Sequence, residues 1–127
     1  MKALNIYLFS LVTIFQANAQ NSWRTTYEFP DGPKTGIAIN DLNTLFVGVT
    51  SGIIRSYDDG NEFEKVLNAQ VVFTLFAANS GTVLAGGAGK IYRSADGGTT
   101  WDSISLNNIY PVTQFTQDPS GNIYAIT

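Results

Sequence analysis

The 127-residue chain contains no cysteine and no histidine. Those two absences remove thiol nucleophiles, disulfides, the usual zinc ligand sets and every Ser-His-Asp arrangement. Any hydrolytic chemistry would rest on carboxylates, tyrosine, lysine or arginine. Charge is also scarce: 13% of residues are charged and the formal net charge is -3, so neither nucleic acid nor an anionic membrane surface is expected as a partner. Long apolar runs are missing too. The longest, "IYLFSLVTIF" at residues 6–15, is about half of the ~20 residues a spanning helix needs.

That run follows a single lysine, Lys2, and precedes Ala17, Asn18 and Ala19 in a small-x-small pattern. Residues 1–19 therefore read as a secretory signal peptide cut after Ala19, with no cysteine at the cut for lipid attachment. The expected destination is secreted, periplasmic or extracellular, with no transmembrane span left after cleavage. The mature chain, 20–127, would carry six basic and ten acidic residues. Lacking disulfides, it must be held by packing alone.

Shifting the mature chain against itself by 38 residues aligns "TLFVGVTSGIIRSYDDGNEF" with "TVLAGGAGKIYRSADGGTTW" without a gap. Thr44, Gly48, Ile53, Arg55, Ser56, Asp58 and Gly60 recur as Thr82, Gly86, Ile91, Arg93, Ser94, Asp96 and Gly98, and Phe63 answers Trp101. A third copy starts at "VTQFTQDPSGNIYAIT", where Gly121 and Ala125 stand 40 residues after Gly81 and Ala85. Trp23 stands 40 residues before Phe63, as the closing piece of an earlier unit.

Within a unit, short runs rich in β-branched and aromatic residues alternate with turn compositions such as "DLNT", "TSG" and "DDGN". Four strands per ~40 residues is the blade of a β-propeller. A β-sandwich could use similar strands, but nothing in it requires turns that recur at fixed spacing. The expected fold is all-β, a partial β-propeller of four-stranded antiparallel blades. Full blades are expected at 35–68 and 71–107, with partial blades at 22–29 and 112–127.

Ser56, Asp58, Gly60 and Phe63, and again Ser94, Asp96, Gly98 and Trp101, fit SxDxGxxW, with Phe replacing Trp in the first copy. The pattern resembles the Asp-box, or BNR, repeat of bacterial sialidases, sortilin-type receptors and propellers similar to photosystem assembly factors. The resemblance covers about residues 22–127. It implies that each box is the hairpin turn between the third and fourth strands of a blade, and that ligand sites lie on the opposite rim. The chemistry agrees: a short carboxylate and a serine can accept the amide protons that a turn leaves unpaired. Glycine allows positive φ, and a tryptophan that follows can anchor the turn in the core.

The boxes are accordingly expected to be structural, with no catalytic residue, cofactor or metal. "DDGNEFE" lacks the spacing of an EF-hand loop. A sialidase-like site would need three converging arginines, but Arg55 and Arg93 hold equivalent positions in successive repeats, which places them on different blades beside Arg24. Their ordinary role is a surface ion pair or a packed stem. Asp31, Asp41 and Asp118 sit in turn sequences, and no acidic pair suits glycoside hydrolysis. Gly86, Gly87 and Gly89 precede no helix, so they do not form a phosphate loop.

Ligand contacts, if present, are expected in the rim loops "PDGPKT", "TSG", "GGAGK" and "NNIYP": Lys34, Asn107 and Asn108 as polar groups and Tyr110 as a stacking ring, toward carbohydrate or protein. Two full blades are fewer than the 4 to 8 that close a propeller, so the remaining blades are expected from a longer chain or from self-association. The leading expectation is an exported, non-catalytic binding or scaffold module. The alternative is the N-terminal part of a larger glycoside hydrolase, sialidase-like or polysaccharide-active, with its catalytic residues beyond Thr127.

Overall fold

The computed structural model describes residues 6–9, 13–18, 22–28, 32–107 and 109–127. The cleavage point after Ala19, the turn residue Asp31 and the rim residue Asn108 lie outside these. Strands β1 (Ile6–Phe9), β2 (Thr13–Asn18) and β3 (Ser22–Glu28) form an antiparallel sheet in chain order. β3 pairs with β2, Trp23 opposite Ala17, in keeping with the preference of consecutive strands for each other.

The rest is a succession of antiparallel meanders. β4 (Lys34–Ile39), β5 (Leu45–Val49), β6 (Gly52–Ser56) and β7 (Glu64–Asn68) form one four-stranded sheet. β8 (Thr74–Ala77), β9 (Val83–Gly86), β10 (Lys90–Ser94) and β11 (Asp102–Ser105) form a second. β12 (Gln114–Gln117) and β13 (Ile123–Ile126) form a hairpin that repeats the start of the same plan. β8 lies beside β4 and β12 lies beside β8, so the first strand of each unit lines the inner side and the sheets follow one another as blades. The fold is thus all-β and of propeller type. The apolar stretch from Val71 is not strand throughout: β8 begins at Thr74, and Val72 serves the connection instead, its carbonyl accepting the Thr35 hydroxyl of the previous blade.

Burial follows blade position. β5 (LFVGV) and β9 (VLAG) are buried along their whole length, because a second strand has a neighbour on both edges and apolar clusters on both faces. Their unbroken apolar runs suit that environment, whereas the outer β11 is exposed throughout. The contact between the first two blades is a cluster of Phe46, Ile53, Val72, Leu75, Val83 and Ala85. Leu84, Val112 and Phe115 repeat it between the second blade and the β12–β13 hairpin.

Gly98 shows how closely the blades approach. Its φ is +85°, and a Cβ there would lie 2.4 Å from Cε1 of Phe46 in the preceding blade. Gly121, at φ +90°, has the same backbone demand, but a Cβ there would meet only the flexible end of Gln117, its Nε2 at 3.9 Å. Gly98→Ala is expected to cost about 2–4 kcal/mol, combining backbone strain with overpacking, and Gly121→Ala about half of that from the backbone alone. Urea unfolding midpoints of the two variants measure the difference.

Candidate functional site

The two SxDxGxxW turns have nearly identical wiring. After β6, the hydroxyl of Ser56 donates to Oδ1 of Asp58 at 2.7 Å while its oxygen accepts the Gly60 amide at 3.0 Å. Oδ1 of Asp58 then accepts the amides of Asn61 and Glu62 at 3.2 and 2.9 Å. After β10, Ser94 donates to Asp96 at 2.8 Å and accepts from the Gly98 amide at 2.7 Å. Asp96 takes the amides of Thr99 and Thr100 at 3.0 and 2.8 Å and the Thr100 hydroxyl at 2.6 Å. Both serines are buried, since a hydroxyl that donates once and accepts an amide leaves little unsatisfied. Where the second turn places Gly97 at φ 67°, the first holds Asp59 at φ 58°, a left-handed conformation that aspartate tolerates better than most residues.

The aromatic that follows is only half-buried, not enclosed. Trp101 packs against the cluster between the first two blades and donates its indole N–H to the carbonyl of Gly98 at 3.1 Å. Phe63 packs against Leu45, Val47, Val49 and Ile54 within its own blade. So the tryptophan both closes its turn and covers the inter-blade seam, and phenylalanine, with no N–H, can do only the packing.

The boxes do not share a cavity among the described residues. Arg55, Tyr57, Asp58, Glu62, Phe63 and Glu64 line an open depression of about 460 Å³ against the first box alone. Arg55 is engaged on every side: Nε bonds Glu64 at 2.7 Å, the guanidinium lies 4.7 Å from the Tyr57 ring centroid, and Nη1 reaches Gly97 O at 3.3 Å and Thr99 Oγ1 at 3.4 Å in the second box. It is therefore an inter-blade strut as well as an ion-pair partner. The sequence gives grounds for an ion pair or a packed stem, but not for a contact with the next blade.

At the opposite end lie the turn joining β5 to β6, the turn joining β9 to β10, and the connections between blades. Lys34 begins β4, half-buried, with its ammonium donating to Gly32 O at 2.6 Å. Asn107 and Tyr110 are exposed on the β11–β12 connection. That connection is fixed by its backbone: the Gly89 amide bonds Tyr110 O at 3.0 Å, the Val112 amide bonds Gly87 O at 3.1 Å, and Ala88 bridges Pro111. Asn107 and Tyr110 thus share one loop, while Lys34 starts the first of the three units. Ile109, which the sequence reading did not select, is 87% exposed beside Tyr110 at 65%. Its signal in the sequence was an apolar residue in a turn bounded by asparagine and proline.

The three turn carboxylates have pKa values pushed below the usual 3.8. For Asp96 the main causes are the Thr100 hydroxyl and amide, then Ser94; for Asp58 the Glu62 amide, then Ser56; for Asp118 the side chain and amide of Asn122. A carboxyl held below its unfolded value stabilises the fold above that value and loses the contribution as pH falls toward the folded one. The urea midpoint is expected to fall below about pH 4 and to do so less steeply in Asp96→Asn, which has no charge to lose. Midpoints measured between pH 2 and pH 7, a range set by the usual carboxylate value, check this.

Neither a protein-family model nor a curated protein sequence matches the chain. Solved structures do. Two structures of the extracellular domain of BT4673 from B. thetaiotaomicron superpose with TM-score 0.80 at 15% and 16% identity, covering 95% of this chain and 18% of that one. YCF48 bound to D1 peptide superposes with TM-score 0.70 at 15% identity, covering 97% of this chain and 44% of that one. The chain therefore spans less than a fifth of the first neighbour and less than half of the second. What they share with it is the fold, a β-propeller built from four-stranded antiparallel blades.

Proposed function

We propose that this chain is part of an exported, non-catalytic Asp-box propeller that binds a partner through the rim bearing Asn107, Ile109 and Tyr110, with Lys34 at the start of the first blade. The observation that carries the reading is the use to which the turn carboxylates are put. Asp96 and Asp118 spend both oxygens, and Asp58 its Oδ1, on donors in or next to their own turns, which leaves them poorly suited to protonate or attack a substrate. The opposite rim instead presents an adjacent isoleucine and tyrosine on a loop braced by backbone hydrogen bonds. An exposed aromatic on a stiff loop suits recognition, because little conformational freedom is lost on binding.

The neighbours support a binding role and an extracellular setting: one is an extracellular domain and the other is a structure of YCF48 with a peptide bound. A protein segment is accordingly preferred to a carbohydrate as the partner. The leader reading agrees, and export should yield a mature chain beginning at Gln20.

The test is a peptide array and an oligosaccharide array probed with the mature protein, together with N-terminal sequencing of the exported product. Peptide binding is expected, weakened at least about tenfold by Ile109→Ser with Tyr110→Ala while the melting temperature holds. Peptide binding that ignores the double variant would overturn the rim assignment. Turnover of chromogenic glycosides that Asp58→Asn or Asp96→Asn abolishes would overturn the non-catalytic reading.

A further inference from the structure

Charge is sorted along the length of the strands. Among the described residues of the three units, every side-chain carboxylate lies at the box end: those of the two box turns, Glu64 and Asp102 where β7 and β11 begin, and Asp41 and Asp118 in the β4–β5 and β12–β13 turns. Arg55 and Arg93, near the ends of β6 and β10, offset only part of that charge. The lysines of these units sit at the other end. Lys34 opens β4 and Lys90 opens β10, while Lys65 sends its ammonium to Ser51 Oγ in the β5–β6 turn at 2.7 Å, a neutral acceptor that leaves its charge in place. A chain of net charge -3 thus carries its lysines on the rim.

The surroundings of Lys90 are built from three segments. The turn before it, at 87–89, is tied on one side to the β7–β8 connection, where the Phe73 amide bonds Gly86 O at 2.7 Å. On the other side the Gly89 amide bonds Tyr110 O at 3.0 Å, and Gly89 O accepts the Leu106 amide at 2.8 Å. An exposed lysine therefore stands on a turn braced between the segment of Phe73, 38% exposed, and that of Ile109 and Tyr110. Outward display belongs to this loop position in the repeat: Gln70, 40 residues before Tyr110, is exposed beside the complete second blade.

We propose, with the rim as the binding face, that its partner is an acidic peptide segment. A carboxylate of the peptide pairs with Lys90, an apolar neighbour packs against Phe73 and the Ile109–Tyr110 pair, and Lys34 and Lys65 add to the attraction. The rim draws an anionic segment in and the acidic box end turns it away, so charge sets both approach and orientation. The apolar side chains beside the lysine supply the buried contact that a point charge does not. An acidic polysaccharide would satisfy the lysines and leave Phe73 and Ile109 without a counterpart, which favours the peptide.

The probes are three sets of short peptides with the same apolar centres and with flanks of glutamate, glutamine or lysine, titrated onto the mature protein. Glutamate peptides are expected to bind at least about tenfold more tightly than glutamine peptides, with the difference shrinking as salt is raised, and lysine peptides are expected not to bind. Lys90→Glu should exchange the preference between glutamate and lysine sets, which a folding defect cannot do, and the milder Lys90→Gln should reduce the glutamate preference alone. Arg93→Glu changes net charge by the same amount at the box end and should leave affinity unchanged. Binding that needs Ile109 and Tyr110 but ignores the change from glutamate to glutamine would leave the rim reading standing and overturn the acidic partner. Arg93→Glu as damaging as Lys90→Glu would overturn it too, by making net charge the cause, and so would polygalacturonate that binds more tightly than any peptide. Failure of all three sets to bind would overturn the rim reading and the acidic partner together.

Discussion

A buried serine hydroxyl bonded to a neighbouring carboxylate holds the second box turn in the shape that lets it press against the blade before it. Ser94 fixes Asp96, Asp96 collects the amides of Thr99 and Thr100, and the resulting curve brings Gly98 against Phe46. Without an ionised acceptor the turn would leave amide donors unpaired, and without glycine it could not come so close. The network gains more from geometry than from charge: its carboxylates are exposed, so their attraction to distant groups is screened, while their hydrogen bonds are local.

From this constraint the division of labour between the two ends of the blades follows. One end is occupied by turns whose carboxylates take up donors of the same turn, including Asp118 of the third unit, which takes up the amide and side chain of Asn122 although no serine stands two residues before it. The other end carries the short β5–β6 and β9–β10 turns and the connections between blades. There the backbone is braced by main-chain bonds and side chains such as Ile109 and Tyr110 are left outward. A scaffold that spends its acidic groups on fastening at one end is free to vary its loops at the other.

Much of this was legible in the sequence because a repeat states its own plan twice. The spacing of Arg55, Ser56, Asp58 and Gly60 against Arg93, Ser94, Asp96 and Gly98 located the turns, and the runs between them marked strands that the structure contains. Contacts between repeats were not legible, since they join residues with no local relationship. That Arg55 would span to Gly97 and Thr99, or that Gly98 would be demanded by Phe46 as well as by its own φ, needs the blade-to-blade geometry. For the same reason Trp101 read as a residue enclosed in a core, while it is a half-buried cover over a seam. Val71 to Phe73 have the composition of a strand yet form a connector, because β-branched and aromatic content does not distinguish the two. At the rim, Ile109 escaped notice because a single apolar loop residue is ordinary until its exposure is known.

The direct test of the fastening role is amide hydrogen exchange in Asp96→Ala, compared residue by residue with the unaltered chain. If the box of the second blade clamps the first, protection falls at Thr99 and Thr100 and also across Leu45–Ser56 of the preceding blade, where Phe46 and Arg55 lose their partner turn. Faster exchange confined to the Ser94–Trp101 hairpin, with β5 and β6 unchanged, would contradict it.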